Sequence, residues 1–523
     1  MSVQFETDQM KSSLRDLLGA ADPSEATMTI IENGVTGEER MLIDGELVGS
    51  SSGATFENID PATEQVLGVV ADATPVDIDR AVSAARKAFD TTSWSNDAEF
   101  RAHCLMQFYE AMLRNAELLR ATTVYEAGIA VRTTNSIHSY AAIGSIPYWA
   151  EMTTSYEYER ELPDRPWAYG DRHRIRHEPV GVVAAITPWN FPLATAMTKI
   201  APALAAGATV VLKPAPQTPW HATLMAKLIA EETDFPAGVI NIVTPSDNDV
   251  AELLARDPRV DLIHFTGSTA VGKKLMSIAS DRITRVALEL GGKSANIILP
   301  DVPVEHVVPM AAGMLSINAG QGCVLPSRML VHQSKYDEAV ELIKFAYESM
   351  PFGDPRDPEV IQGPQISEVQ RSRILGLIDA GVSEGARVVT GGGKPAEFEH
   401  GYFVEPTLLI DVDENSTVAQ REIFGPVLSL LPYKDIDDAV QIANNSTYGL
   451  AGYVWSPDEA AAIGVARRIR SGMIAVNGSF FYGPDLPWGG YKQSGLGRES
   501  GAEGFDEFLE VKTIAVGHAF DQH

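Results

Sequence analysis

Three short stretches of this 523-residue chain carry residue types suited to carbonyl chemistry. Cys323 ends the run Asn318-Ala319-Gly320-Gln321-Gly322-Cys323. Two glycines just before a cysteine leave its thiol open from one side, whereas a structural cysteine more often sits inside an apolar run. A thiolate is a strong nucleophile when its surroundings lower its pKa. Packing and chemistry both remain open for it. Glu289 lies in Val286-Ala287-Leu288-Glu289-Leu290-Gly291-Gly292. Carboxylates are rare in such a stretch unless paired or functional. A low dielectric would raise its pKa towards that of a useful general base; a satisfied structural carboxylate fits the same string. Asn190, in Trp189-Asn190-Phe191-Pro192, can offer its amide N–H to a developing oxyanion or simply hold a turn. The other cysteine, Cys104, sits in the helical run HCLMQFYEAML and reads as packing.

Gly267-Ser268-Thr269-Ala270-Val271-Gly272 stands where a strand hands over to a helix. Backbone N–H groups and the helix dipole at such a start suit a pyrophosphate. The stricter G-x-G-x-x-G is absent, so an ordinary strand-to-helix turn fits equally. Gly292-Lys293-Ser294 resembles the end of a P-loop, but Ala287 occupies the position of its first glycine, which excludes that motif. Gly49-Ser50-Ser51-Ser52-Gly53 satisfies G-x-S-x-G by letters only. It sits in a Gly/Ser-rich hairpin without the strand and helix that a nucleophile elbow needs.

The elements that must position these residues follow from periodicity. Short strands separated by turns begin near Met41. A helix opens at Thr74-Pro75, with Ile78, Ala81, Val82, Ala85 and Phe89 at helical spacing. Helix is expected through 98–128 and again around 136–153. From 181 strand and helix alternate: strand 181–186, helix 193–206, strand 209–212, a helix capped by Thr218-Pro219, strand 239–243, helix near 250–256, strand 262–265, helix from Thr269. That rhythm is the mark of a doubly wound α/β sheet. A second α/β pattern runs from about 295 to 476. At the N-terminus a short helix is expected around 10–18 within an extension that carries no targeting signal. Arg172, Arg174 and Arg176 alternate with His173, Ile175 and His177, so a strand carries them on one face. An edge strand or arm pairing with another subunit is favoured over a binding patch.

Composition bounds the partners. Asp and Glu number 70 against 41 Lys and Arg, a net charge of −29. Such a body repels phosphate backbones and anionic lipid surfaces, so no nucleic acid and no membrane is expected. Two isolated cysteines build neither a disulfide framework nor a zinc cage, which fits a reducing, cytoplasmic setting and no metal. No run of 18 apolar residues suggests a transmembrane helix.

Taken together the chain resembles the NAD(P)-dependent aldehyde dehydrogenase superfamily, hydrolytic type, over about residues 41–516. The matching strings are TPWNFP at 187–192, VVLKPA at 210–215, FTGSTAVG at 265–272, LELGGKSANI at 288–297, GQGC at 320–323, EIFGP at 422–426 and PWGGYKQSGLGRE at 487–499. The 34 residues from Glu289 to Cys323 also match the hydrolytic members. The resemblance implies a Rossmann-like cofactor domain (41–160 and 180–291) after an extension (1–40), an α/β catalytic domain (292–493), and a small β oligomerisation arm (161–179 and 508–518). It implies Cys323 as nucleophile, Asn190 as oxyanion donor, Glu289 as the base that activates water, and Lys199 as a buried lysine near that base. It places NAD against Ile186, Thr187, Trp189, Lys213, Gly267, Ser268, Leu290, Gly291, Glu422 and Phe424. It also implies a homodimer or homotetramer.

The chain departs from the family where Pro216 stands in place of a ribose-binding glutamate. NAD is favoured, and NADP is left open. By matched position the entry funnel holds Phe191, Thr195, Ile317, Val324, Phe480, Tyr482 and Trp488. With no arginine or lysine among these, an uncharged apolar or aromatic small-molecule aldehyde is expected. The rivals are a coenzyme A-acylating dehydrogenase, which would not want Glu289, a thiol hydrolase, which would not want the cofactor motifs, and a non-catalytic descendant of the family, against which Cys323, Glu289 and Asn190 together speak.

Overall fold

The apolar runs become the strands of two large sheets. A computed structural model describes residues 22–165, 167 and 171–517, so the helix expected around 10–18 and part of the arm lie outside it. The first sheet has eight strands in the order Gly495–Leu496, Arg285–Glu289, Leu262–Thr266, Val182–Ile186, Thr209–Lys213, Ile240–Ile242, Met41–Ile43 and Glu46–Val48. The five strands from Arg285–Glu289 to Ile240–Ile242 run parallel. Every residue of Val182–Ile186, Thr209–Lys213 and Leu262–Thr266 is buried. Helices cover both faces, which is why these strands read as unbroken apolar runs and not as alternation. The strand order reverses between Val182–Ile186 and Leu262–Thr266, and ligands of such sheets gather at the carboxyl ends beside the reversal. The two loops that leave there begin Thr187-Pro188-Trp189-Asn190 and Gly267-Ser268.

The second sheet has seven strands: Arg387–Thr390, Thr407–Ile410, Val427–Tyr433, Arg328–His332, Ala295–Ile298, Ala451–Trp455 and Met473–Val476. All its pairings are parallel except the first. The chain then returns to the first sheet, where Gly495–Leu496 pairs antiparallel with Leu288 and Glu289. Gly495 has φ 153°, and a Cβ there would lie 2.2 Å from the Leu288 carbonyl oxygen. Only glycine admits so close a backbone approach. Among the described residues no helix is long and apolar enough to cross a membrane, and no group of three or more His, Cys, Asp or Glu is placed to hold a metal.

The expected helix start at Thr74-Pro75 is found: Pro75–Thr91 opens on a reciprocal cap between Thr74 and Asp77. Elsewhere longer-range contacts override local signals. The helix expected over 98–128 breaks at Asn115 into Ala98–Arg114 and Ala116–Ala127, with the Asn115 side chain donating to the Ala111 carbonyl. Thr218 caps nothing, its hydroxyl has no partner, and the next helix, Trp220–Glu232, begins two residues later. The buried carboxylate of Glu126 accepts the Trp220 and His221 N–H groups at 2.9 and 3.0 Å, so a cap 94 residues away does the work. Within the described part of the extension, Glu25–Asn33 is a helix whose Ile31 packs with Ala121, Val124 and Val131.

Arg172–Pro179 is a strand, but not an edge. It is the middle strand of a three-stranded sheet, between Glu159–Glu161 and Leu509–Val516 of the same chain. Arg174 and Arg176 pair with Glu159, Glu161 and Glu178, which neutralises the basic face.

Candidate active site

A cavity of about 530 Å³ opens at the strand-order reversal and reaches the loop before Arg328–His332. Cys323, Glu289 and Asn190 all line it. Glu289 is the last residue of its strand, and the loop after it is squeezed from two sides. A Cβ at Gly292 would meet the Cys323 carbonyl oxygen at 2.3 Å, and one at Gly291 would meet Glu422 Oε2 at 2.3 Å. The paired glycines thus let the cysteine loop and Glu422 close on the strand end. The Gly292 N–H donates to Glu422 Oε1 at 3.0 Å.

The cysteine loop is strained. Asn318 and Ala319 both adopt left-handed backbone, with φ of 48° and 50°. Non-glycine residues persist in that region only where their surroundings over-determine them. The surroundings are visible. Asn318 Nδ2 donates to the Asn190 carbonyl at 2.8 Å, and Gln321 Nε2 donates to the Asn318 carbonyl at 3.0 Å. Gln365 Nε2 donates to the Ala319 carbonyl at 3.0 Å, and the Ile366 N–H to Gln321 Oε1 at 2.9 Å. Asn190 Nδ2 donates to the Gln321 carbonyl at 2.9 Å. That bond uses one amide hydrogen and fixes the plane of the other. Asn318 and Gln321 were missed as functional positions; their signal was two amide side chains in an otherwise small-residue loop.

Glu289 is 3% exposed, and its Oε1 has no partner. Burial and then the Glu499 charge push its pKa up to about 8, against the opposing effects of the Cys323 thiol and Lys199. Burial and the facing Glu289 carboxylate also push the Cys323 thiol well above its ordinary value. The thiol is thus made less acidic by its surroundings, not more. Lys199 is fully buried and lies near Glu289 through another carboxylate. Its ammonium donates to Glu499 at 2.5 Å and to the Thr266 hydroxyl at 2.6 Å. Burial pushes the Glu499 pKa up, but Lys199 and His264 outweigh it and leave Glu499 below its ordinary range. Glu499 also lines the cavity and was missed: Arg498 and Ser500 flank it, so the apolar setting that singled out Glu289 is lacking.

Of the residues matched to a cofactor, Trp189, Gly267, Ser268, Gly291, Glu422 and Phe424 line the cavity. Trp189 meets Phe424 edge to face at 5.4 Å. Ile186, Thr187 and Lys213 stand outside it, at the carboxyl ends of their strands, and Leu290 packs behind Gly272. Ser268 caps Thr269–Ser280 by accepting the Val271 N–H. Lys213 is buried without a hydrogen-bond or carboxylate partner among the described residues, and burial pulls its pKa down to about 8. An unpaired buried ammonium at a sheet's carboxyl edge, beside a capped helix start and the glycine cradle under Glu422, fits a dinucleotide.

Of the expected funnel, Phe191, Thr195, Val324, Tyr482 and Trp488 line the cavity; Ile317 and Phe480 do not. The left-handed turn at Asn318 follows Ile317, whose side chain packs into the core of the second sheet. Phe480 is 66% exposed, and its neighbour Phe481 packs behind the pocket on Trp488 at 5.8 Å. Ile137, Ala194, Thr198 and Ser500 line the cavity and were missed. Ala194 and Thr198 share a helical face with Thr195, which could have suggested them. Arg373 and Arg421, which were not among the matched funnel residues, also line it, and Arg373 donates to the Glu422 carbonyl at 2.6 Å and so stands on the Glu422 side.

Residues 47–514 match the family model described as "Aldehyde dehydrogenase family". A putative aldehyde dehydrogenase, DhaS, of Bacillus subtilis is 41% identical over 497 residues, 94% of this chain and 99% of that protein. The fold is similar to the NAD+ complex of an aldehyde dehydrogenase from Bacillus cereus, with TM-score 0.89 and 37% identity over 93% of this chain and 98% of that one. It is also similar to a mutant of aldehyde dehydrogenase C from Pseudomonas syringae in complex with NAD+ and octanal, with TM-score 0.87 and 37% identity over 92% and 98%.

Proposed function

The chain belongs to the aldehyde dehydrogenase family, and from that premise we propose that it oxidises an uncharged apolar or aromatic aldehyde to the carboxylic acid with NAD. The observation that carries this reading is one cavity faced by the Cys323 thiol, the Glu289 carboxyl and the Asn190 amide. Cys323 Sγ adds to the aldehyde carbon. Its proton is lost to solvent as the bond forms, so Glu289 stays free to act as a base. The second Asn190 amide hydrogen and the Cys323 backbone N–H donate to the resulting oxyanion; losing one such donor costs about a hundredfold or more. Bound NAD supplies the hydride acceptor. Lys213, Ser268, Glu422 and Phe424 would hold it. Oxidation of the adduct leaves a thioester on Cys323. Glu289 then takes a proton from water, which attacks the thioester and releases the acid.

The partnerless Glu289 Oε1 supports water activation over transfer to coenzyme A. The apolar surfaces of Ile137, Phe191 and Val324 support an uncharged substrate. The solved relative from Pseudomonas syringae that holds octanal is consistent with an apolar chain. Pro216 removes a carboxylate that would repel a 2′-phosphate, so NAD is favoured without strict exclusion of NADP. The first sheet with residues 41–160 and 180–291 serves as the cofactor domain, and 292–493 as the catalytic domain. The outer edge of Leu509–Val516, with Val511 64% exposed, would pair with a second copy in a dimer or tetramer. The test is a panel of aldehydes assayed with NAD, with NADP and without either. Apolar and aromatic aldehydes should give NADH. Preference for semialdehydes bearing a carboxylate would overturn the substrate class, and an absence of NADH and NADPH with every aldehyde would overturn the reaction.

A further inference from the structure

Phe191 forms a wall of the cavity and follows Asn190 in the chain. Directly behind its ring lies His138, with ring centroids 4.4 Å apart and planes 12° from parallel. His138 is 2% exposed and belongs to Ser136–Tyr140, a single π-helical turn. Such wide turns are rare and frequently occur at functional sites. Both ring nitrogens are buried without a partner among the described residues. An imidazole must carry a hydrogen on at least one nitrogen, and an unmet N–H in the interior is costly. Burial, and then His221, pull its pKa down to about 3, so the ring is neutral and no charge offsets that cost. The Glu126 carboxylate is taken by His221, Trp220 and Asn58. What His138 does make is a flat contact with Phe191. The residue before it, Ile137, lines the same cavity. One turn of backbone therefore presents one apolar wall directly and clamps the opposite side of a second.

We propose that His138 is a positioning residue for substrate selection: through the Ser136–Tyr140 turn it locks Phe191 and Ile137 into one rigid apolar wall against which the organic chain of the aldehyde lies. This rests on the aldehyde reading above. His138 touches no reacting atom, so its loss acts through Phe191 and through KM. A short aldehyde such as acetaldehyde reaches Cys323 without using the wall; an aromatic or long-chain aldehyde uses it fully.

The test compares kcat/KM for benzaldehyde, octanal and acetaldehyde in the unmodified chain, His138→Ala, Phe191→Ala and the double variant. His138→Ala should raise KM for the two larger aldehydes about tenfold, change kcat/KM for acetaldehyde less than about twofold, and leave the KM for NAD alone. The double variant should be no worse than Phe191→Ala, because His138 acts through that ring. If His138→Ala does not fold, His138→Val, which keeps bulk and loses the flat face, is read the same way. Unchanged aldehyde ratios, or losses that add to those of Phe191→Ala, overturn the inference alone. An unmodified chain that oxidises no aldehyde overturns the functional reading and this inference with it.

Discussion

The two cysteines stand in opposite kinds of surroundings, yet their acidities move the same way. Cys104 is fully buried in the helix Ala98–Arg114, and burial pushes its thiol up to about 12. Cys323 is pushed well above its ordinary value too. Acidity alone does not separate the packing thiol from the proposed nucleophile. What separates them is what faces the sulfur and how the backbone holds it. Cys104 sits in relaxed helix among Leu105, Phe108 and other core residues. Cys323 follows three left-handed residues, Asn318, Ala319 and Gly320, opens on a cavity and meets a carboxyl group whose pKa burial pushes up to about 8. Left-handed backbone recurs around the same cavity at Phe424 and Ser500, with φ of 60° and 57°. Strain and a facing acceptor, and not a depressed pKa, mark the candidate centre.

The sharpest break of this contrast is Cys323→Ala. It should lower NADH formation at least about a thousandfold while NAD still binds, as read by quenching of protein fluorescence. Full activity would return both cysteines to the status of packing. Next in size is Glu289→Gln, for which a first burst of NADH should survive while steady turnover falls about a hundredfold. Equal loss of burst and turnover would mean that Glu289 acts before the thioester as well.

The acidity of Glu289 gives a third outcome. A base works only when deprotonated, and burial raises its pKa to about 8. Turnover should therefore climb as pH rises through about 8 and be lower below it. Lys199 opposes that shift, so Lys199→Met should move the midpoint upward and lower turnover severalfold at neutral pH. A midpoint left in place would remove Lys199 from the account. The smallest effect belongs to the other thiol. Cys104→Ala should lower stability by about 1 kcal/mol, seen as a lower melting temperature, with turnover unchanged.

Much of the frame was legible because it is local. Buried parallel strands read as apolar runs, and the Thr74-Pro75 helix start reads from its cap. The cavity also gathers Cys323, Glu289 and Asn190, as their motifs led one to expect. What escaped was set by contacts far apart in the chain. No local signal at Thr218 tells that Glu126 will cap the next helix. Ile317 and Phe480 matched the funnel by position, but one is turned away at Asn318 and the other is carried outside on a loop. Glu499 escaped because its partner, Lys199, lies 300 residues away. The arginine-bearing strand was legible as a strand, while its partners in the same chain were not.

The return of the chain to the first sheet has a consequence for synthesis. A ribosome delivers residues in order, and the edge beside Glu289 stays open until Gly495–Leu496 has emerged. The whole second sheet is made in that interval. Until then the strand holding the proposed base shows unpaired amides, a template for wrong partners, and Lys199 has no Glu499 to meet. A nascent chain stalled near residue 480 would carry a finished cysteine loop beside an unfinished base. The candidate chemistry is thus completed only after every strand of the second sheet has been made.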